Sequence, residues 1–192
     1  MMCDADSLRC GKLVVVSGPS GVGKSTVNRE VLKQTGAVYS VSVTTREPRD
    51  GEVDGKDYHF VDRATFEQMI ERGEMLEWAE VFGNLYGTPV APVQNAIETG
   101  KVVLLEIDIQ GGLQIHEKMP DATFVLITPP DEDELERRLR GRGTENEKSF
   151  SKRFGKAKEE LKTATESGIY TNVVVNKDLR TTIEQIVKIV TD

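Results

Sequence analysis

The sequence predicts an α/β fold, a doubly wound parallel sheet flanked by helices, and three observations carry that prediction. Four apolar runs, at residues 13–17 (LVVVS), 102–108 (VVLLEID), 124–128 (FVLIT) and 172–176 (NVVVN), are continuous and mostly β-branched. Strands buried on both faces read this way, whereas half-exposed strands alternate. Helical patterns separate the runs, and a glycine-rich turn follows the first one directly.

Taken in order, the first run leads into a helix over 25–35, with Val27, Val31 and Leu32 on one side. Residues 44–96 then break the rhythm. They hold a turn cluster (EPRDGEVDGKD), a short strand (YHFV), a helix-like RATFEQMIERG and an aromatic-rich EWAEVFGNLYGTP. This reads as a small mixed α+β insertion between core elements. A helix over 131–140 follows Pro129 and Pro130, opens with acids and ends in arginines, as the helix dipole prefers. The polar stretch GRGTENEKS at 141–149 is either a mobile lid or a solvated loop. Helices are predicted over 152–167 and 181–191, the latter placing Ile183, Ile186, Val187 and Val190 at i, i+3, i+4 and i+7. The resulting division is a core of 11–43, 97–140 and 153–190, an insertion of 44–96 and a lid of 141–152, behind a leader at 1–10 expected to be disordered.

At 192 residues the chain suits one domain with such an insertion. The formal net charge of −7 argues against a broad nucleic-acid or membrane surface, both of which require a basic field. It leaves room for a local basic pocket. Cys3 and Cys10 both lie in the leader, so no disulfide framework is expected and a reducing cytoplasm fits. The first residues, MMCDADSLRCGK, carry acids and no apolar core, unlike a secretory signal. No apolar run approaches the ~20 residues that span a bilayer.

The turn after the first run is GPSGVGKS, which matches G-x-x-x-x-G-K-[ST] at Gly18, Gly23, Lys24 and Ser25. Glycines let backbone N–H groups close around phosphate oxygens, and the next helix aims its positive end at the same point. With glycine near 7% of average usage, a chance match in such a chain is on the order of one per cent. The fold is therefore a P-loop NTPase-type doubly wound parallel sheet. The cradle residues for a nucleoside triphosphate are Gly18, Pro19, Ser20, Gly21, Val22, Gly23, Lys24, Ser25 and Thr26, with Ser25 as the expected Mg²⁺ ligand.

A GTPase would carry an NKxD-type string after a late strand. Here Asn176-Lys177-Asp178-Leu179 places the aspartate one position early. The acidic chain also carries an unusual basic turn, SVSVTTREPRDG (40–51), with Arg46 and Arg49 among hydroxyls and turn formers. Two guanidinium forks on a turn stiffened by Pro48 suit a phosphate monoester, although a solvated turn offset by Glu47, Asp50 and Glu52 is the plainer alternative.

Six segments in one order, GPSGVGKST, SVSVTTREPRDGEVDGKDYHFV, EWAEVFGNLYGT, VVLLEIDIQG, RRLRGRGTE and VVVNKDL, resemble the guanylate kinase family from about residue 11 to 190. The resemblance implies a nucleoside monophosphate kinase taking ATP, Mg²⁺ and GMP, with dGMP as a second acceptor. It implies that Arg46 and Arg49, with Tyr58 and Tyr86, grip the GMP phosphate. Ser42, Glu77, Thr88 and Asp108 then match the base-reading positions. Guanine offers donors at N1 and C2, which ionised carboxylates accept and adenine does not supply. Arg138, Arg142 and Arg153 match arginines that close over the transferring phosphoryl group, and Asn176 matches an adenine-side contact. Glu106 is a better candidate than Asp108 for holding Mg²⁺-bound water.

Three departures stand out. Leu85 replaces the first of two tyrosines, Lys177 replaces a usual aspartate, and Gly112 stands where alanine is common. The resemblance implies a cytoplasmic enzyme, monomer or homodimer, with no nucleic-acid or membrane partner. Two other readings use the same residues: a scaffold module that binds phosphopeptides on this fold, and a kinase for another monophosphate or a sugar phosphate. The intact 18–25 turn opposes the first, and Glu77 with Asp108 opposes the second.

Overall fold

Each of the four apolar runs forms a strand of one sheet in a computed structural model that describes residues 11–81, 83–141 and 147–192. The expected leader at 1–10 and Arg142, within the expected lid, lie outside the described residues. In chain order the core begins with β1 (Leu13–Ser17), α1 (Lys24–Thr35) and β2 (Val38–Tyr39). A second unit holds β3 (Val43–Thr44), β4 (His59–Phe60), α2 (Arg63–Glu71), β5 (Met75–Val81) and β6 (Asn84–Pro89). The core resumes with α3 (Val90–Glu98), β7 (Val103–Glu106), α4 (Ile109–Lys118), β8 (Thr123–Thr128) and α5 (Glu132–Arg140). It ends with α6 (Glu147–Ser167), β9 (Asn172–Val175) and α7 (Leu179–Thr191).

The main sheet has the order β2-β7-β1-β8-β9, and all of its pairings are parallel. Continuous apolar strands follow from helices on both faces. Val14, Val16, Leu104, Val125 and Ile127 pack toward α1 and α7, meeting Val27, Val31, Ile183, Ile186 and Val190. Their neighbours Leu13, Val15, Leu105, Phe124 and Leu126 face α3, α4 and α6 through Val93, Ile109, Ile115 and Ala164. The sheet is thus doubly wound, and β1 lies at its centre with chain crossing to both sides. In such sheets ligands bind beyond the carboxyl ends of the strands at the point where the winding reverses.

The second unit has its own sheet, ordered β4-β3-β6-β5. Its small core consists of Val43, Phe66, Met75 and Leu85, with Phe66 fully buried. Asp62 caps α2 by accepting from the Thr65 N–H at 2.7 Å.

Two helices do not show in the sequence patterns. α3 follows β6 without a turn and carries Pro92 in its first turn; its Val90, Val93, Ala96 and Ile97 pack on the main core. α4 carries Gly111 and Gly112, yet Asp108 caps it. A third helix is longer than its pattern predicts. α6 starts at Glu147 rather than 152, because Phe150 and Phe154 continue the stripe of Ala157 and Leu161 onto Leu135 and Leu139 of α5. Among the described residues, no helix is long and apolar enough to cross a membrane.

Candidate active site

A cleft of about 490 Å³ opens at the carboxyl end of β1 and runs to the second sheet. It brings together Gly18, Ser20, Gly21, Gly23, Lys24, Ser25 and Thr26 at one end with Ser42, Arg49, Tyr58, Glu77 and Tyr86 at the other. Asp108 and Arg153 line the space between. Pro19, Val22, Arg46, Thr88, Arg138 and Asn176 stand outside that lining.

The phosphate end follows from β1 and α1. Gly23 precedes the helix with φ 98°, a left-handed conformation that side chains with a Cβ rarely adopt. Gly18 has no room for a Cβ, which would collide with the carbonyl of Ile127. Lys24 folds back over the turn, its Nζ donating to the carbonyls of Gly18 (2.6 Å) and Pro19 (3.2 Å). The Ser25 hydroxyl donates to Glu106 Oε1 at 2.6 Å, and Asn28 donates to Oε2 at 3.3 Å. Hydroxyl and carboxylate oxygens suit a hard cation such as Mg²⁺, which is commonly held by one or two protein oxygens with phosphates completing its shell. Glu106 is therefore the functional candidate that the sequence raises without ranking it among the site residues.

Asn176 and Arg138 support the turn from behind. Asn176 is buried; its amide nitrogen donates to the Val22 carbonyl at 2.8 Å and its oxygen accepts from Thr182 at 3.1 Å. Arg138 donates to Val22 O at 3.2 Å, to Asn176 O at 2.8 Å and to Glu134 at 2.7 Å. Arg137 and Arg138 together pull the Glu134 carboxyl down to about 2. Arg153, on α6, reaches Ser20 Oγ at 3.1 Å from the cleft side. One and two turns further along α6, Lys156 and Glu160 also line the cleft. Burial pushes the Glu160 carboxyl above its ordinary range.

The opposite end is built by β3, β5 and β6. Glu77 is buried on β5 and accepts from the Thr88 hydroxyl of β6 at 2.6 Å. Burial, reinforced by the charge of Asp108 and opposed by Thr88, raises the Glu77 carboxyl to about 7. Asp108 caps α4 by accepting from the Gly111 N–H at 2.8 Å. Ser42, immediately before β3, completes this wall.

Arg46 lies at the side of the cleft, where its Nη2 donates to both oxygens of Glu52 at 2.8 and 2.9 Å and its Nη1 donates to the Glu47 carbonyl at 2.6 Å. That guanidinium holds the Glu52 carboxyl below its ordinary range. The same carboxylate accepts from the Arg49 N–H at 2.8 Å, which closes the turn. Tyr58 packs edge-on to Tyr86 at 5.9 Å between ring centres, and Arg46 lies 5.6 Å from the Tyr58 ring.

A glycine-rich turn at the centre of a parallel sheet, facing a second unit with two arginines and a buried carboxylate across one cleft, is the arrangement of a P-loop phosphotransferase. Comparison with known proteins narrows the class. The family model described as guanylate kinase matches residues 10–192. A guanylate kinase of Lactococcus lactis is 50% identical over 181 residues, covering 94% of this chain and 87% of that protein. One from Trichodesmium erythraeum is 49% identical over 183 residues, covering 95% and 97%. The crystal structure of the guanylate kinase from Anaplasma phagocytophilum superposes with a TM-score of 0.77 at 36% identity, covering 95% of this chain and 86% of that one. The chain belongs to the guanylate kinase family.

Proposed function

We propose the following division of labour for the ATP-dependent phosphorylation of GMP, the reaction of this family. The 18–26 turn takes the triphosphate of ATP, and the 44–96 unit takes GMP. The observation that carries the reading is a single cleft joining the phosphate turn to the buried carboxylate of Glu77. Glu77 and Asp108 accept from the N1 and C2 donors of guanine, with Thr88 and Ser42 beside them. Arg46, Arg49, Tyr58 and Tyr86 hold the GMP phosphate.

The acceptor phosphate oxygen is already ionised near neutral pH, so it attacks the γ-phosphorus in line and no protein base removes a proton. Lys24 follows the charge that develops on the β- and γ-oxygens, and Arg138, Arg142 and Arg153 offset the repulsion between the two polyanions. Ser25 would hold Mg²⁺ directly and Glu106 through water; when bound, the ion neutralises phosphate charge. The 141–152 stretch serves as a lid that excludes competing water. Asn176 acts on the adenine side by fixing the Val22 carbonyl of the turn. We read the enzyme as cytoplasmic, monomeric or homodimeric, with dGMP accepted alongside GMP.

A coupled assay of ADP formation with GMP, dGMP, AMP and UMP in parallel tests the acceptor. Arg46→Ala should raise the KM for GMP by at least about tenfold, the cost of losing a bidentate guanidinium–phosphate contact, while the KM for ATP stays within about twofold. An equal loss for both nucleotides would remove the phosphate clamp from Arg46.

A further inference from the structure

The carboxylate assigned to guanine sits on an edge strand that the core grips through a helix outside the substrate unit. β5 ends its sheet, so one of its edges has no strand partner there. α4 takes that place. The Gln114 amide matches the backbone of Trp78 at both points, its Nε2 donating to the Trp78 carbonyl at 2.8 Å and its Oε1 accepting from the Trp78 N–H at 3.1 Å. Lys118 Nζ donates to the carbonyls of Met75 (3.1 Å) and Leu76 (2.6 Å). These contacts fall on the residues either side of Glu77.

Gly111 completes the grip. A Cβ on Gly111 would stand 2.8 Å from Glu77 Oε2 and 3.2 Å from its Cδ, so only a bare Cα lets the carboxylate lie where it does. Residues 111, 114 and 118 lie at i, i+3 and i+7, on one face of the helix. The N–H of that same Gly111 donates to Asp108. One helix therefore sets both carboxylates: it carries Asp108 at its N-cap and limits how far Glu77 can advance.

We infer that Gly111 and Gln114 are specificity-positioning residues, which set the depth of Glu77 against Asp108 and hence the preference for a purine with donors at both N1 and C2. The inference rests on the reading of Glu77 and Asp108 as the base readers. Neither residue touches the nucleotide; Gly111 acts through the Glu77 carboxylate and Gln114 through the β5 backbone.

The test compares GMP with IMP, which keeps the N1 donor and lacks the C2 amino group. Gly111→Ala should raise the KM for GMP by about tenfold or more, since displacing a recognition group by a fraction of an ångström costs that much. The KM for ATP should be unchanged, and the ratio of kcat/KM for GMP over IMP should fall severalfold. Gln114→Ala should move the same ratio in the same direction by a smaller factor. It carries the test alone if Gly111→Ala does not fold, because Gln114 is only half-buried and its loss leaves no cavity in the core. A ratio unchanged in the helix variants, while Glu77→Gln collapses it, overturns the inference and leaves the base-reading role standing. A ratio unchanged in Glu77→Gln itself overturns that role, and the inference with it.

Discussion

Glu77→Gln should make the protein more stable at alkaline pH while impairing its use of GMP. Burial raises the Glu77 carboxyl to about 7, against an ordinary 4.5. A raised acid binds its proton more tightly in the folded chain than in the unfolded one. Its contribution is therefore fully present below the unfolded value and lost as pH rises through the folded one. At 1.36 kcal/mol per pKa unit, the full penalty for burying the ionised form is about 3 kcal/mol, most of which develops between pH 5 and 8.5. Glutamine keeps an oxygen for the Thr88 hydroxyl, now 2.6 Å from Glu77 Oε1, and carries no charge at any pH. Chemical denaturation of both proteins at pH 5 and 8.5 measures the difference directly. A midpoint temperature difference growing by about 5–10 °C over that range corresponds to the same energy for a chain of this size. A stability difference independent of pH, or one favouring the natural protein at pH 8.5, refutes the argument.

Two further predictions concern the ionisation of Glu77 and the packing of α4. On the proposed assignment the ionised form of Glu77 accepts from the guanine donors, so kcat/KM for GMP should rise between about pH 6 and 8 with a midpoint near 7, and Glu77→Gln should lack that component. The GMP phosphate titrates alike with both proteins, so the difference between the two profiles isolates Glu77. Gly112→Ala would drive a methyl group into the Tyr170 hydroxyl and should cost about 1–3 kcal/mol by overpacking. Tyr170→Phe should relieve most of that, so a double-mutant cycle in urea should report a coupling of about 1 kcal/mol or more.

The parts of the fold that could be read from sequence are those whose signal is local. β1, β7 and β8 stand out because helices cover both faces of their apolar centres, while β9 reads the same way from its valines although Val173 and Val175 are exposed. β2 and β3 have two residues each and no pattern to read. α3 and α4 carry a proline and two glycines in place of the usual start and interior signals, and tertiary packing of Val93, Ile109 and Ile115 offsets that weakness. The glycine-rich turn is contiguous, so its residues are legible in order. Glu106 meets Ser25 across 81 positions of chain, and Gln114 meets Trp78 across 36. No spacing rule links such residues, and a glutamine on a helix face carries no chemical signature until the strand it faces is known. Asn176 shows the converse: its position was legible, while its bonds to Val22 and Thr182 were not.

These internal contacts change how the basic turn of an acidic protein works. Four of the cations expected at a phosphate already have a protein oxygen: Lys24 on two carbonyls, Arg46 on Glu52, Arg138 on Glu134 and two carbonyls, Arg153 on Ser20. Held side chains lose less rotamer freedom when a ligand arrives, which favours binding. On the proposed assignment Arg46 must loosen the contact of its Nη2 with both Glu52 oxygens to take a phosphate, and this exchange offsets part of the electrostatic gain without cancelling it. In that reading the phosphate end aligns the two polyanions, and its charge alone does not tell one monophosphate from another. Discrimination among acceptors then falls to the other wall, where a buried carboxylate without its donors is left partly unpaired. A base lacking those donors forfeits that pairing, and a site of that kind rejects the wrong partner far more strongly than it rewards the right one. On the proposed assignment the carboxylates of Glu77 and Asp108 thus decide the acceptor, and the arginines decide where its phosphate lies.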